Sequence, residues 1–260
     1  MLFALNVVMV LKPTFFGLAD ASAAVRMAFL MVGIWWAVFS IPVILFVKER
    51  KPPAVPSGIF RSAIQELISN IREVGQYRMA FTFLIAYWLY IDGVDTIVRM
   101  AVDYGMAIGF EASDLLTALL VTQFVGFPAA LVFGRIGERF GPKAGINVAL
   151  MIYVLVVIWA WHMQAVWEFY GLAVSIGLVQ GGIQALSRSL YARLIPVERA
   201  GAFFGMYNML GKFAAVLGPL LVGVVSMLTS NPRSGILAIL LLFVAGGLVL
   251  QKVRIPAGAE

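Results

Sequence analysis

Tyr90-Ile-Asp-Gly-Val-Asp-Thr-Ile-Val-Arg99 places three charged residues inside an apolar run that is long enough to cross a membrane. Asp92, Asp95 and Arg99 stand three and four residues apart, so a helix brings all three onto one face. A charge in hydrocarbon costs roughly 2.5–3.5 kcal/mol, so such residues normally face the interior of a helix bundle. Two interpretations stay open: a solute or gating pathway, or an Asp95–Arg99 ion pair that locks the packing.

The composition around this stretch indicates an integral membrane protein. Of the 260 residues, 62% are hydrophobic and 12% are charged, whereas soluble domains contain about 25% charged residues. The apolar runs have helical length, which predicts an all-α, polytopic membrane helix bundle in a lipid bilayer. The net charge of +6 fits the lysine and arginine that collect in the loops of membrane proteins, so we expect no nucleic-acid partner.

Little in the sequence suits enzyme or cofactor chemistry. The chain has no cysteine and one histidine, His162, which stands at a predicted helix end. The sequence signatures of zinc proteases and of serine hydrolases are missing. We therefore expect no enzyme activity, no catalytic residue, no metal site and no cofactor.

Seven membrane spans follow from the apolar runs. The first covers 26–47, and the shorter apolar run Leu2–Leu11 before it is interpreted as the remainder of an earlier helix in a longer protein. Connections between the later spans are short, which predicts antiparallel neighbours. These six spans are placed at 79–102, 115–133, 144–161, 167–190, 201–228 and 235–253.

A polar connector at 54–78 separates a segment at 1–53 from a six-helix bundle at 79–260. Its apolar residues recur every three or four positions, which predicts an amphipathic helix at the membrane surface. Most of the 19 lysine and arginine residues fall in this connector, in alternate loops and in the C-terminal tail. That asymmetry places the connector and the C-terminus in the cytoplasm, and we expect the membrane to be a bacterial inner membrane.

The connection between the second and third spans of the bundle is rich in glycine: Gly134-Arg-Ile-Gly-Glu-Arg-Phe-Gly-Pro-Lys143. Glycines permit a tight turn and close approach of helices. The Glu138 carboxylate can meet a helix N-terminus or a cation in one conformation and release it in another. An ordinary basic loop is the alternative. The gating candidates are Gly134, Gly137, Glu138, Arg139, Gly141 and Lys143.

The span predicted at 167–190 carries two stripes of residues, one made of small residues and one made of polar residues. Small residues at 177, 181, 185 and 189 predict close packing of two membrane helices. Beside them runs a polar stripe of Gln180, Gln184, Ser187 and Arg188. The amides can bind a polar solute or merely join neighbouring helices, and Arg188 lies near enough to the helix end to reach the membrane surface.

The following span combines a deep cation with a helix breaker. Lys212 lies too far from the membrane surface for easy contact with water and needs a carboxylate or an anionic solute; its depth suggests Asp92. Gly218-Pro219 predicts a kink of the kind on which gating helices bend. The candidates for solute binding or coupling are Asp92, Asp95, Arg99, Gln180, Gln184, Tyr207, Asn208 and Lys212.

These segments together resemble a family of transporters. Residues 134–143 resemble the G-x-x-x-D-R-x-G-R-K signature of the major facilitator superfamily, with Glu138 in place of aspartate and Pro142 in place of a basic residue. A second resemblance is to the unknown major facilitator family. It is carried by residues 90–97, 180–189 and 203–212 and by Trp35-Trp36. That family is related to the autophagy-linked vacuolar amino-acid effluxers of fungi.

The resemblance implies a twelve-helix transporter of two six-helix halves. This chain would hold a fifth-helix remnant, the sixth helix, the connector and the C-terminal half. A secondary transporter of this type moves a small polar solute, here an amino acid or a similar metabolite, by alternating access. Asp92 would be the proton- or cation-coupling carboxylate, and Asp95 with Arg99 a gate on the outer side.

A separate N-terminal half or a homologous partner half would complete the cavity of such a transporter. The alternative function is a non-transporting membrane scaffold, or a half-transporter subunit that pairs with another helical half.

Overall fold

The computed structural model describes residues 2–47, 69 and 71–255. The chain divides into two compact units, Met1–Ala63 and Ile64–Glu260. Within the described residues every regular element is a helix, which confirms the all-α fold. Seven helical segments in this part are long and apolar enough to cross a membrane. The chain is therefore an integral, multi-pass membrane protein, as the sequence predicted.

Within residues 2–47, the described part of the first unit, there are two helices, α1 (Leu2–Leu11) and α2 (Ala21–Phe46). A short 3-10 turn and Gly17, whose φ of 70° suits glycine, connect them. α2 begins five residues before the predicted start at residue 26 because Asp20 caps it: the Asp20 carboxylate accepts a hydrogen bond from the backbone N–H of Ala23 at 2.7 Å. Such a cap satisfies a free donor of the first helical turn.

The second unit holds the remaining spans. Two of them are interrupted, so six spans are built from eight helices. α4 packs against α6, α3 against α10, and α5 against α6. The helices are α3 (Arg78–Ala107), α4 (Ala112–Phe140), α5 (Pro142–His162), α6 (Val166–Ala192), α7 (Ala200–Phe213), α8 (Leu217–Thr229), α9 (Pro232–Leu237) and α10 (Ile239–Gln251).

Most of the polar connector predicted at 54–78 lies outside the described residues. Its described part is helical at 71–76. There, Val74 is buried and Glu73 forms an ion pair with Arg199, just before α7. The domain limits after residues 53 and 78 stay predictions.

Close packing of α6 on α4 depends on glycines. A Cβ added at Gly177 would lie 2.7 Å from the carbonyl oxygen of Thr122, and one at Gly181 would lie 3.2 Å from the Cβ of Ala130. The Thr122 hydroxyl also donates a hydrogen bond to the carbonyl of Ala173 at 3.1 Å. The close helix approach predicted for the stripe is confirmed at positions 177 and 181.

The span that contains α7 and α8 is interrupted at residues 214–216. Pro219 has no N–H to donate, and its ring excludes a helical carbonyl four residues earlier. The kink predicted at Gly218-Pro219 therefore becomes a break one turn earlier, with Gly218 and Pro219 in the first turn of α8. This break lies beside the candidate site.

Candidate functional site

A polar cavity of about 440 Å³ opens between α3, α6 and α7. Each of these helices contributes residues spaced four apart, which places them one above the other on a single helix face. Aromatic rings form one wall, because the Tyr87 and Tyr207 rings stack with centroids 4.1 Å apart. The lining residues are Tyr87, Ile91, Asp95, Gln184, Arg188, Tyr207, Asn208, Gly211 and Lys212.

The structure brings five of the eight predicted solute-site residues together in this cavity. They are Asp95, Gln184, Tyr207, Asn208 and Lys212. The other three are not part of its lining: Asp92 is buried elsewhere, Arg99 is exposed, and Gln180 is half-buried.

Sequence reasoning missed Tyr87 and Arg188 as members of this site. Arg188 stands one helical turn after Gln184, and Tyr87 stands two turns before Asp95. The four-residue spacing was the available signal. For Arg188 it was outweighed by its position near a helix end, where contact with the membrane surface is a sufficient explanation.

The charged side chains of the cavity do not neutralise one another. Asp95 is half-buried, and Arg188 and Lys212 are exposed to the cavity. Across the described part of the chain, Glu73–Arg199 is the only ion pair within 4.0 Å. The cavity therefore carries two unpaired cations and one unpaired carboxylate.

The ion pair between Asp95 and Arg99, one of the two interpretations of the anchor stretch, does not form in this conformation. No contact within 4.0 Å joins their charged groups. Asp95 lines the cavity, whereas Arg99 lies one turn further along the helix, where it is exposed and outside the cavity lining. The gate proposed for this pair thus has no ion pair to support it here.

Asp92 occupies a different environment from Asp95. Its side chain is fully buried, and its two oxygens accept hydrogen bonds from the backbone N–H groups of Leu217 and Gly218, each at 3.0 Å. The Thr96 hydroxyl lies 3.4 Å from one of these oxygens. Asp92 therefore caps the first turn of α8, where free N–H groups and the positive end of the helix dipole favour an anion.

This cap corrects the expected partner of Asp92. The predicted pairing with Lys212 is wrong for this conformation, since no ion pair joins the two. The coupling role predicted for Asp92 stays a prediction, but the surroundings of this carboxylate differ from those expected. Asp92 instead has its oxygens engaged by backbone donors at the break between α7 and α8, a partner that sequence spacing does not reveal.

The glycine-rich segment 134–143 is helical almost throughout, and its prediction as a loop is wrong. α4 continues to Phe140 and α5 starts at Pro142, so Gly141 alone makes the turn. Its φ of +84° lies in a region that suits glycine, and proline is well accommodated at a first helical position. Nothing between 134 and 140 interrupts a helix strongly, because an internal glycine costs only about 1 kcal/mol.

Members of this segment have distinct surroundings. A Cβ at Gly137 would lie 2.3 Å from a methyl group of Leu186 in α6, whereas Gly134 has free space around it. The Lys143 ammonium donates to the carbonyls of Gln251 at 3.1 Å and Val253 at 2.8 Å, so it binds the C-terminal end of α10. The gating role stays a prediction.

The remaining charged residues of the segment face outwards. Glu138 and Arg139 are exposed, and the Arg139 guanidinium lies 5.4 Å above the centroid of the Phe140 ring. No hydrogen bond or ion pair holds the Glu138 carboxylate in the part of the chain that is described.

Among the residues that the structure describes, no group of three or more His, Cys, Asp or Glu side chains is placed to hold a metal ion. The cavity offers amides, hydroxyls, two cations and a carboxylate. This donor set suits a polar, charged solute held by hydrogen bonds and charge pairing.

Comparisons with known proteins agree with the resemblance noted in the sequence. The family described as "Vacuole effluxer Atg22 like" matches residues 1–260. An uncharacterized MFS-type transporter of Bacillus subtilis, YxiO, is 40% identical over 234 residues, which cover 90% of this chain and 55% of that protein.

Fungal relatives are more distant. Autophagy-related protein 22 of Yarrowia lipolytica is 27% identical over 252 residues, covering 85% of this chain and 43% of the relative. The chain thus spans about half the length of the curated relatives that it matches. With the family match over its full length, the chain belongs to the Atg22-like effluxer family of major-facilitator-type proteins.

Proposed function

We propose that this chain is part of a secondary active transporter that moves a small polar solute by alternating access, with amino acids as the first class to test. The observation that carries the proposal is the cavity between α3, α6 and α7, in which charged and amide side chains converge without pairing. Such groups are costly beside lipid, and they are found where a span faces water or a bound solute.

The break between α7 and α8 supports a moving cavity wall. Lys212 is the next-to-last residue of α7, and the helix ends at Phe213, one residue later. Transporters commonly build solute sites from discontinuous helices of this kind. A change in the angle between α7 and α8 would move Lys212 relative to α3, and with it the shape of the site.

Asp95 is the residue that we propose for coupling to a proton or another cation. It is the carboxylate of the cavity, it is half-buried, and it accepts no hydrogen bond from the described residues. A carboxylate without fixed partners can gain or lose a cation without disrupting the fold, which Asp92 in its cap cannot do.

The cavity is open on one side, and its Gln184, Arg188, Asn208 and Lys212 side chains are exposed. Because hydrocarbon would reject this face, we propose that another helical half covers it, supplied either by a longer form of the chain or by a partner. The charge asymmetry of the loops supports a C-terminus in the cytoplasm, and we propose a bacterial inner membrane because the relative YxiO is a bacterial protein.

Counterflow in proteoliposomes tests the proposal. Liposomes that contain the protein and a mixture of unlabelled amino acids should accumulate labelled amino acid from outside, and an imposed pH gradient should change the rate. Asp95→Asn should remove this response. Asp103→Asn, an exposed carboxylate of the same helix, is the matched control and should retain it.

The outcomes of this assay separate the two candidate functions. Absence of flux for every solute, with and without a pH gradient, would contradict transport. If the protein still co-purified with a second helical half, that result would favour the non-transporting scaffold or half-transporter subunit. Flux that does not change with the pH gradient would contradict proton coupling but not transport.

A further inference from the structure

The cavity contains three charges on three helices, and their arrangement restricts the charge of a solute that fits. Asp95 lies on α3, Arg188 on α6 and Lys212 on α7. None of them pairs with another within 4.0 Å. In a site of low dielectric constant, two cations and one carboxylate are best matched by a ligand with two carboxylates and one ammonium group.

Contacts between α3 and α6 fix the level of Arg188 along the helices. The hydroxyl oxygen of Tyr90 lies 2.7 Å from the Oγ atom of Ser187, so the neighbouring Arg188 starts at about the level of Tyr90. Asp95 is five residues further along α3, which corresponds to a rise of about 8 Å.

Contacts between α3 and α7 place Lys212 at a similar level. A Cβ at Gly211 would lie 3.0 Å from the hydroxyl oxygen of Tyr87, so Lys212 starts about level with Tyr87. Asp95 is eight residues further along α3, a rise of about 12 Å. The two cations thus start from about one layer of the cavity, on α6 and α7, and the carboxylate lies about 8–12 Å further along α3.

We propose that the cavity binds an acidic amino acid, with its two carboxylates on Arg188 and Lys212 and its ammonium group directed towards Asp95. The arginine fork suits a carboxylate bidentately, and lysine acts as a point charge. A neutral amino acid would leave one cation of the site unmatched. A simple dicarboxylate would leave Asp95 unmatched. This assignment rests on the proposed function and narrows it to one charge class of solute.

The amides of the cavity support the same orientation. Gln184 stands one turn from Arg188 on α6, and Asn208 one turn from Lys212 on α7. Each cation therefore has an amide above or below it on the same helix face. An amide can donate a further hydrogen bond to a carboxylate that the cation holds, which adds to the preference for two carboxylates.

Equilibrium binding to the purified protein in lipid nanodiscs tests the assignment. Labelled L-glutamate is the probe, and L-glutamine and glutarate are the competitors, since glutamine replaces one carboxylate by an amide of the same shape and glutarate lacks the ammonium group. A lost hydrogen bond to a charged group weakens binding about 10- to 100-fold. We expect each competitor to bind more weakly than glutamate by a factor in that range.

Variants connect each preference to a residue. Asp95→Asn should abolish the preference for glutamate over glutarate and keep the preference over glutamine. Lys212→Gln and Arg188→Gln should each reduce the preference for glutamate over glutamine. Lys252→Gln and Asp103→Asn, both exposed and outside the cavity, are the controls and should match the unmodified protein. A merely structural role would weaken all ligands equally.

Each of the other binding results would contradict one part of the assignment. Glutamine binding as tightly as glutamate would overturn the match of two cations with two carboxylates. Glutarate binding more tightly than glutamate would overturn the role of Asp95 towards an ammonium group. If neutral amino acids are transported and glutamate does not bind, the inference falls and the proposed function stands. If no solute binds or moves, both fall.

Discussion

Asp92 and Asp95 are two carboxylates on one helix, less than one turn apart, in opposite environments. Asp92 is fully buried and accepts backbone hydrogen bonds from the first turn of α8. Asp95 is half-buried, faces a polar cavity and has no hydrogen-bond partner in the described part of the chain. The difference teaches that a charge in a membrane span acquires its role from the group that faces it. Their depth in the membrane and their spacing in the sequence hardly distinguish the two carboxylates.

The largest loss of stability is expected for Asp92→Ala. The change leaves the buried N–H group of Gly218 and the partly buried one of Leu217 without an acceptor, and an unsatisfied buried group costs about 1–3 kcal/mol. We expect the free energy of unfolding to fall by about 2–4 kcal/mol. Denaturant titration of the protein in detergent micelles measures the change, with Asp103→Ala as the control that should stay near the unmodified protein.

Gly218→Ala should break the same cap from the other side. A Cβ at Gly218 would lie 1.8 Å from the Thr96 hydroxyl oxygen and 3.0 Å from an Asp92 carboxylate oxygen, so α8 must shift. Overpacking of this kind costs about 1–3 kcal/mol. Gly223→Ala in the same helix has free space around its Cβ and should be neutral or slightly stabilising. Equal losses in both variants would contradict a specific contact at Gly218.

A smaller effect is expected for Thr96→Val. The Thr96 hydroxyl is a long 3.4 Å from the Asp92 carboxylate, and the N–H groups of Leu217 and Gly218 remain in place without it. We expect a loss of about 0.5–1 kcal/mol in the free energy of unfolding. A loss as large as that of Asp92→Ala would show that the hydroxyl, rather than the backbone donors, holds the carboxylate.

Asp95→Asn should have the smallest effect on the free energy of unfolding and a large effect on the affinity for the solute. No hydrogen bond in the described structure depends on the Asp95 carboxylate, so the free energy of unfolding should stay within about 0.5 kcal/mol of the unmodified value. Glutamate affinity should nevertheless fall about 10- to 100-fold. A stability loss comparable to that of Asp92→Ala would contradict the distinction between the two residues.

Much of the fold was predictable because it depends on local signals. Apolar length predicted the seven spans, and small residues at four-residue steps predicted a close helix contact of α6, whose partner, α4, only the structure identifies. Local signals also failed in places. The segment 134–143 contains the residues of a turn, yet a single glycine makes the turn and the helix continues to Phe140.

The site was predictable in part for a related reason. Polar residues in an apolar span are visible in the sequence, and five of the eight candidates do line the cavity. Their pairings were not visible, because the cap between Asp92 and Gly218 joins residues far apart in sequence across a helix break. Arg188 was assigned to the membrane surface because it stands near a helix end, although α6 packs so that Arg188 lines the same cavity as Asp95.

Thermal unfolding of Asp92→Asn and Asp95→Asn, each with and without L-glutamate, tests the division between the two carboxylates most directly. Bound ligand raises the unfolding temperature, so one scan reports both intrinsic stability and binding. We predict that Asp92→Asn unfolds at a temperature lower by about 4–8 °C and keeps its stabilisation by glutamate. Asp95→Asn should unfold at the original temperature and lose that stabilisation. The reverse pattern, with Asp92→Asn stable but insensitive to glutamate and Asp95→Asn destabilised but responsive, would contradict it.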